Sequence, residues 1–267
     1  PQSTIKILSH RVYFASDLHL GVPDIESSRE REKKFISWLE DVSLGQGIAA
    51  SGPATEIHLL GDLFDFWFEY KNAVPKGGVR LLGAIAKITD LGIPVHYHLG
   101  NHDLWSFGYL ESELGVQIHT SPVVREWDGL KCLIGHGDGL GPGDRGYKLT
   151  KKVYRSKLAQ FLFQWLHPDI GIRLANRLSK NSRSAGGKSG GPFTSPEKEN
   201  LYQYCKEVLE SDPGMNCFIF GHRHLPLDLT LPKDSETSAP ARYINIGDWI
   251  THFSSAKIEK GVLTLNT

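Results

Sequence analysis

The feature that most constrains this chain is a local pattern that occurs five times. A short run of β-branched or aromatic residues is followed by a small residue and then by a side chain that can bind a metal. The five runs are RVYFAS before Asp17, EIHLLG before Asp62, VHYHLG before Asn101, LKCLIG before His136 and CFIFG before His222. His19 and His224 follow two residues after the first and the last of these donors. Each run has the length and composition of a buried strand.

Amphipathic stretches between these runs predict helices. Residues 27–42 begin with a capping box of Ser27 and Glu30. Residues 78–90 have the same helical spacing of apolar residues, and residues 196–210 open with Pro196 as a first helical residue. Strands that alternate with helices indicate βαβ units in an α/β fold. Such sheets bind ligands at the carboxyl ends of their strands. The seven donors are therefore expected to meet at one edge.

Each donor also has an ordinary structural interpretation. A single Asp after a strand is often a turn former or a helix cap, and a single His is more often a hydrogen-bonded core or surface residue than a ligand. The motifs DLH, GDLFD, GNHD, GHGD and GHRH, however, occur in this order and each stands at a strand end. The complete set favours one metal site over seven independent structural roles.

The donor chemistry predicts the kind of metal and the reaction. Carboxylate and amide oxygens together with imidazoles favour Mn, Fe, Zn or Co over Mg or Ca, and the lack of thiolates argues against a structural zinc site. Seven donors are too many for one ion but suit two ions that share a carboxylate. Paired ions roughly 3.5–4 Å apart activate water and stabilise an in-line displacement at phosphorus. Hydrolysis of a phosphate ester or anhydride is therefore expected.

Composition sets limits on location and partners. The 267 residues are 40% hydrophobic, which excludes disordered and fibrous classes, and 30 basic residues balance 30 acidic ones, so no overall field attracts nucleic acid. The three cysteines are an odd number, which suits a reducing compartment and small buried side chains. No apolar run is long enough to span a bilayer, and the first residues lack a signal peptide's apolar stretch. We expect a cytoplasmic protein.

A basic insertion lies between the GHGD and GHRH motifs. From Arg145 to Lys188 there are eleven basic residues and one acidic residue. Leu158, Phe161, Leu162 and Trp165 form an apolar stripe that continues beyond Pro168, so two helices joined at His167–Pro168 are expected. One interpretation is a helical hairpin packed on the domain. The other is a lid over an acylated, anionic substrate that also contacts a membrane surface, with Phe161, Leu162 and Trp165 as the acyl-binding surface.

The motif set D-x-H, G-D-x-x-[DE], G-N-[HR]-[DE], G-H and G-H-x-H resembles that of the calcineurin-like metallophosphoesterases, over nearly the whole chain. The resemblance implies a four-layer αββα sandwich: one domain spanning residues 1–267, with a helical insertion at about 145–190. It implies one metal on Asp17, His19, Asp62 and His224, and a second metal on Asp62, Asn101, His136 and His222. Manganese is the first expectation for both ions, with iron or zinc as alternatives.

The same resemblance implies roles beside the metals. His102 would protonate the leaving oxygen or stabilise phosphoryl charge, and Asp103 would orient His102. The alternative for His102 is a hydrogen bond without proton transfer. Asp65 would orient its neighbours or form an ordinary salt bridge. Asn101, His102 and His222 would also contact the substrate.

The insertion and its flanking motifs narrow the resemblance to one group within the family. GHGD-x-x-G-x-x-D-x-G-Y, a basic helical insertion, GHRH and a late IGDW are similar to the pyrophosphatases of UDP-2,3-diacylglucosamine, peripheral membrane hydrolases of lipid A biosynthesis. The similarity implies cleavage to UMP and 2,3-diacylglucosamine 1-phosphate at the inner face of the inner membrane, with Asp144, Ser182 and Lys188 contacting the substrate. His102 departs from the arginine that this group commonly has. The alternatives are a phosphoesterase for another nucleotide or phosphodiester, and a scaffold without catalysis.

Overall fold

The computed structural model describes residues 9–143, 145–185, 191–233 and 239–267. The strands in these ranges are β1 Arg11–Ala15, β2 Glu56–Leu59, β3 Val95–His98, β4 Gln117–His119, β5 Val123–Trp127, β6 Leu130–Gly135, β7 Cys217–Phe220, β8 Pro226–Leu231, β9 Ala241–Ile246, β10 Ser255–Glu259 and β11 Val262–Asn266. The α-helices are α1 Ile25–Leu44, α2 Val79–Asp90, α3 Tyr109–Leu114, α4 Arg145–Tyr154, α5 Lys157–Gln164, α6 Pro168–Ala185 and α7 Asn200–Ser211.

The strands form two sheets. One sheet has the order β11-β10-β1-β2-β3-β4 and the other has the order β5-β6-β7-β9-β8. Strands β1 to β4 run parallel to one another, and so do β6, β7 and β9, whereas β10, β11, β5 and β8 pair antiparallel at the sides. The five strands of the sequence pattern are therefore the parallel centres of the two sheets. The predicted α/β class is confirmed.

The core consists of three apolar clusters. The first packs α1, α2 and α3 on the outer face of the six-stranded sheet, through residues such as Phe35 and Ile85. The second fills the space between the sheets with side chains such as Phe14 and Ile219, and the third packs α7 on the five-stranded sheet. Helix, sheet, sheet and helix follow one another as four layers, as the family resemblance implies.

Two predicted helix starts are corrected. Helix α1 begins at Ile25, because the Asp24 carboxylate accepts a hydrogen bond from the Ser27 amide at 2.8 Å and caps the helix one turn before the expected box. The prediction of Ser27 and Glu30 as a capping box was wrong. Pro196 opens a single 3-10 turn, Pro196–Lys198, rather than the helix itself.

The insertion contains three helices in its described part rather than two. Ser156 is extended between α4 and α5, so two helices rather than one precede His167. The stripe faces solvent: Phe161 is 54% and Trp165 is 77% exposed. Among the described residues, no helix combines the length and the hydropathy needed to cross a bilayer.

All three cysteines are buried, as expected. Cys132 of β6 and Cys217 of β7 are paired residues of neighbouring strands and form a disulfide, so the expectation of three reduced cysteines was wrong for these two, while Cys205 is free. Their separation of 85 residues along the chain gives no sign of this register in the sequence.

Candidate metal centre

All seven predicted donors lie just beyond the ends of β1, β2, β3, β6 and β7. The structure brings six of them together in two groups, whose ligand atoms lie within 4.8 Å of one another inside each group. These groups are Asp17, His19 and His224, and Asp62, His136 and His222. The seventh donor, Asn101, has its Oδ1 atom 3.3 Å from His136 Nε2.

Asp62 connects the two groups. Its Oδ2 atom lies 3.6 Å from His19 Nε2 in the first group and 3.3 Å from His136 Nε2 in the second. One carboxylate thus faces imidazoles of both groups, which is the arrangement that a shared ligand requires.

The two carboxylates are held so that each has one oxygen fixed and the other directed at imidazoles. Asp17 Oδ2 accepts a hydrogen bond from the His222 amide at 2.9 Å, and Asp62 Oδ1 accepts one from the His102 amide at 2.9 Å. Asp17 Oδ1 is buried, accepts no hydrogen bond from the described residues, and lies 3.2 Å from His224 Nε2. The Nε2 atoms of His19 and His224 face each other at 3.2 Å. Facing nitrogens and an unused carboxylate oxygen suit a transition-metal ion, so these residues fit the metals that the family resemblance implies.

The electrostatics of the centre also favour bound positive charge. Burial alone would raise the pKa of the Asp62 carboxyl, but His136 and His102 outweigh it and hold the pKa well below its usual range. Burial alone would lower the pKa of the His136 imidazole, yet the charge of Asp62 raises it to about 10. Burial likewise opposes protonation of His19, but the neighbouring carboxylates of Asp17 and Asp65 raise its pKa to about 10. Carboxylates that raise the pKa of neighbouring imidazoles this strongly also favour the binding of metal cations.

The backbone at the donors is unusual. Asp17, His19, Asp62, His222 and His224 have φ values of 56°, 43°, 53°, 68° and 56°, in the left-handed region that few residues other than glycine adopt. Hydrogen bonds between neighbouring strand ends hold this conformation, including Asp17 N to Gly61 O at 3.0 Å and His19 N to Asp62 O at 2.9 Å. Such strain collects at functional sites. The sequence shows strand ends here but not this conformation.

Glycine before the donors allows close approach. A methyl group at Gly221 would lie 2.6 Å from Asp17 Oδ2, and one at Gly61 would lie 2.6 Å from the Gly100 amide nitrogen. The glycines are thus required by packing between strand ends as well as by the turn itself.

Asp248 is a contributor that sequence reasoning missed. It follows β9 and accepts hydrogen bonds from the amides of Ile250, Thr251 and His252, and its Oδ2 lies 3.4 Å from His224 Nδ1. A carboxylate in this position orients an imidazole for metal binding. The signal was present in the late IGDW, since Asp248 also comes after a strand and a glycine.

His102 and its neighbours are arranged differently from the sequence expectation. The His102 ring lies 4.7 Å from the His19 ring, and its Nδ1 donates to the Asp65 carbonyl at 2.7 Å. Asp103 instead accepts from the Gly100 amide at 2.7 Å and from the Tyr97 hydroxyl at 2.6 Å. Asp103 therefore fixes the loop that carries Asn101 and His102, and it is Asp65 that contacts the His102 ring.

The substrate contacts expected in and around the insertion are only partly described. Asp144 and Lys188 lie outside the described residues, and Ser182 belongs to α6 without a described side chain. The insertion does reach the centre through Asp138 of the GHGD motif, which accepts hydrogen bonds from Tyr147 at 2.6 Å and from Lys151. Sequence reasoning assigned no role to Asp138.

The chain is similar in sequence to one family of known proteins. The sequence profile of the calcineurin-like phosphoesterases matches residues 10–226. A Porphyromonas gingivalis protein named UDP-2,3-diacylglucosamine hydrolase is 32% identical over 268 residues, covering 96% of this chain and 97% of that protein. A Nitrosococcus oceani protein of the same name is 26% identical over 89% of this chain and 86% of its own length. Among solved structures, a dimetal phosphatase from Danio rerio aligns with 96% of this chain and 95% of its own, at a TM-score of 0.45 and 13% identity.

Proposed function

The chain belongs to the calcineurin-like phosphoesterase family, and from that premise we propose that it hydrolyses UDP-2,3-diacylglucosamine to UMP and 2,3-diacylglucosamine 1-phosphate. The observation that best supports hydrolysis at a pair of metal ions is the position of Asp62 Oδ2. This atom lies 3.6 Å from His19 Nε2 and 3.3 Å from His136 Nε2. The substrate is suggested by the names of the relatives and by the helices beside this centre.

The chain would hold two divalent ions with the donors described above. Asp17, His19 and His224 would bind one ion and Asn101, His136 and His222 the other, with Asp62 shared by both. When bound, such ions lower the pKa of water and neutralise charge on a phosphoryl group. The mixed oxygen and nitrogen donors favour manganese, with iron or zinc as alternatives.

His102 would handle the proton of the leaving group. A carbonyl oxygen only accepts, so the hydrogen bond to Asp65 O fixes Nδ1 as the protonated nitrogen of a neutral His102 ring. To protonate the leaving phosphate oxygen, His102 would carry a second proton on Nε2 and would return to this neutral form when it gives that proton up. Asp65 would keep the ring in this orientation, and Asp103 would keep the loop beneath it in place. Asn101, His102 and His222 would contact the phosphates.

The acyl chains would lie between the insertion and the sheet domain. A cavity of about 780 Å³ separates α5 from the segments around Phe68 and Phe107, and aromatic and apolar residues line it together with two lysines, Glu69 and amide side chains. The lining residues include Phe68, Tyr70, Val74, Phe107, Tyr109 and Phe161, together with Lys71 and Lys157. A cavity with aromatic and apolar residues and cations in its lining suits a ligand that has fatty chains and phosphates. We infer that α4, α5 and α6 are an insertion at about 145–190 in a single domain.

The exposed stripe of the insertion would contact the membrane that holds the substrate. Leu158, Phe161, Leu162 and Trp165 are all more than half exposed, and basic residues surround them. Apolar side chains beside lysines and arginines favour the surface of an anionic bilayer. The inner face of the cytoplasmic membrane is therefore the proposed location.

The test compares two substrates. Protein loaded with Mn²⁺ is given UDP-2,3-diacylglucosamine and a soluble phosphodiester in parallel, with Asp62→Asn as the inactive control. UMP release from the first substrate alone supports the proposal, whereas equal or faster hydrolysis of the diester favours a different phosphoesterase. Hydrolysis in water labelled with heavy oxygen should place the label on UMP. Label on the sugar phosphate would contradict attack at the phosphorus that bears the uridine.

A further inference from the structure

A second cluster of ionisable side chains lies on the inner face of the six-stranded sheet. It consists of Glu56 and His58 on β2, His96 and His98 on β3, and His119 on β4. Alternate residues of a strand share one face, and the register pairs His58 with His96 and His98 with His119. Four imidazoles and one carboxylate are thereby placed between the sheets, where the neighbouring side chains are mostly apolar.

Three of these side chains converge on one point. Glu56 Oε1 lies 2.8 Å from His58 Nε2 and 2.9 Å from His96 Nε2, and the two rings stack with their centroids 4.6 Å apart. The other carboxylate oxygen, Oε2, accepts a hydrogen bond from Trp127 Nε1 at 3.0 Å. Trp127 therefore fixes the direction in which Glu56 presents Oε1.

We propose that Glu56, His58 and His96 bind one further divalent transition-metal ion, of the zinc and cobalt class, separate from the paired ions of the catalytic centre. Two imidazoles and one carboxylate form a ligand set that zinc adopts when one coordination position stays open. All three ligand atoms lie within 4.8 Å of one another. This donor set gives a hard, oxygen-preferring ion such as Mg²⁺ little advantage.

The remaining histidines support the two ligand rings from behind. His58 Nδ1 lies 3.0 Å from His98 Nε2, and His96 Nδ1 lies 2.9 Å from His119 Nε2. Without an ion, each Nε2–H faces Glu56 Oε1, because a carboxylate oxygen accepts the hydrogen bond. With an ion bound, each ligand ring would carry its proton on Nδ1, donate it to His98 or His119, and present the Nε2 lone pair to the metal. Partners of this kind orient metal-binding histidines and increase metal affinity.

The protonation state and the solvent exposure of these side chains also suit metal binding. Burial lowers the pKa of the His58 imidazole to about 4, so the ring is neutral at physiological pH and able to bind a metal. The Glu56 side chain is 16% exposed and the His96 side chain is 6% exposed, while His58 is fully enclosed. An ion would enter at the partly exposed Glu56 side and replace the contacts that now join the two Nε2 atoms to the carboxylate.

The experiment counts ions. Full-length protein is saturated with Zn²⁺, freed of excess metal by gel filtration and analysed for zinc by atomic emission. The variants Glu56→Gln and His96→Gln are treated in the same way. The control is His167→Gln, which removes an exposed histidine. The wild type and the control should hold three ions per chain, and the two cluster variants two. Hydrolysis by the cluster variants should stay near that of the wild type, because neither residue belongs to the catalytic centre.

A second measurement adds the metal to wild-type protein and does not require the two cluster variants to fold. Co²⁺ added to wild-type protein should quench the part of the tryptophan emission that Trp127→Phe removes, because Trp127 contacts Glu56. Two ions per chain in the wild type, or an unchanged count in folded His96→Gln, would overturn the proposal. Unquenched Trp127 emission at saturating Co²⁺ would overturn it as well.

Discussion

Phe163 is the side chain that attaches helix α5 to the sheet domain. Its ring centroid lies 4.7 Å from that of Phe68 and 4.8 Å from that of Trp105, so it fills a partly buried aromatic cluster. Phe161 lies on the same helix but is 54% exposed, and its ring neighbour is Trp165 of the same segment. Phe163→Ala and Phe161→Ala therefore make a matched pair, since they remove the same group from an anchoring position and from an exposed one.

The expected size of the effect follows from burial. Removing a fully buried phenylalanine costs about 3–5 kcal/mol, and about 2 kcal/mol is a reasonable value for a ring that is only partly buried. Because each 1.4 kcal/mol is about a tenfold change in an equilibrium, α5 should open about 30-fold more often in Phe163→Ala. Phe161→Ala should leave this opening equilibrium near the wild-type value.

Hydrogen exchange of the α5 amides measures how often helix α5 opens. Steady-state kinetics measure the effect of this opening on the KM for substrate. Phe163→Ala should exchange faster and should raise KM for the acylated substrate more than for a short-chain analogue. Phe161 lines the proposed acyl cavity, so Phe161→Ala should raise the same KM without faster exchange. Equal exchange in both variants would refute the anchoring role of Phe163, and equal KM changes for long and short chains would refute the acyl-binding role of the cavity.

Three further predictions concern other parts of the molecule. Asp62→Asn should abolish turnover and lower the content of both catalytic ions, because a shared ligand loses its charge; near-normal activity or metal content would contradict its bridging position. Asp248→Asn should weaken metal binding by about 10–100-fold in a titration, through loss of the carboxylate beside His224, and unchanged affinity would contradict this. Asp24→Ala should lower the free energy of unfolding by about 1 kcal/mol with unchanged kcat, whereas Glu30→Ala should change neither.

The sequence allowed the seven donors to be expected at one edge because each of them follows the end of a strand. Each donor directly follows a strand, and parallel strands deliver their ends to one edge of the sheet. Asp17, Asp62 and His136 could thus be assigned to one place without knowledge of the strand order. The fold class followed from the same alternation of strands and helices.

Features that depend on register or on packing direction were not accessible in this way. The apolar stripe of Leu158, Phe161 and Trp165 was visible, but periodicity does not tell which side of a helix packs on a domain, and it is Phe163 that packs. The histidines of VHYH lie in a run that reads as a buried strand. Only the pairing of β2, β3 and β4 shows that His58 and His96 face the same carboxylate.

The candidate metal centre opposes the stability of this fold in two ways. Five donors in the left-handed region oppose folding by about 1–2 kcal/mol each, and the buried carboxylates of Asp17 and Asp62 add mutual repulsion. Strand-end hydrogen bonds such as Asp17 N to Gly61 O and the close approach at Gly221 hold the donors in place against this cost. A chain selected for stability alone would replace these residues. Their arrangement around one shared carboxylate is explained by the cations that they can bind.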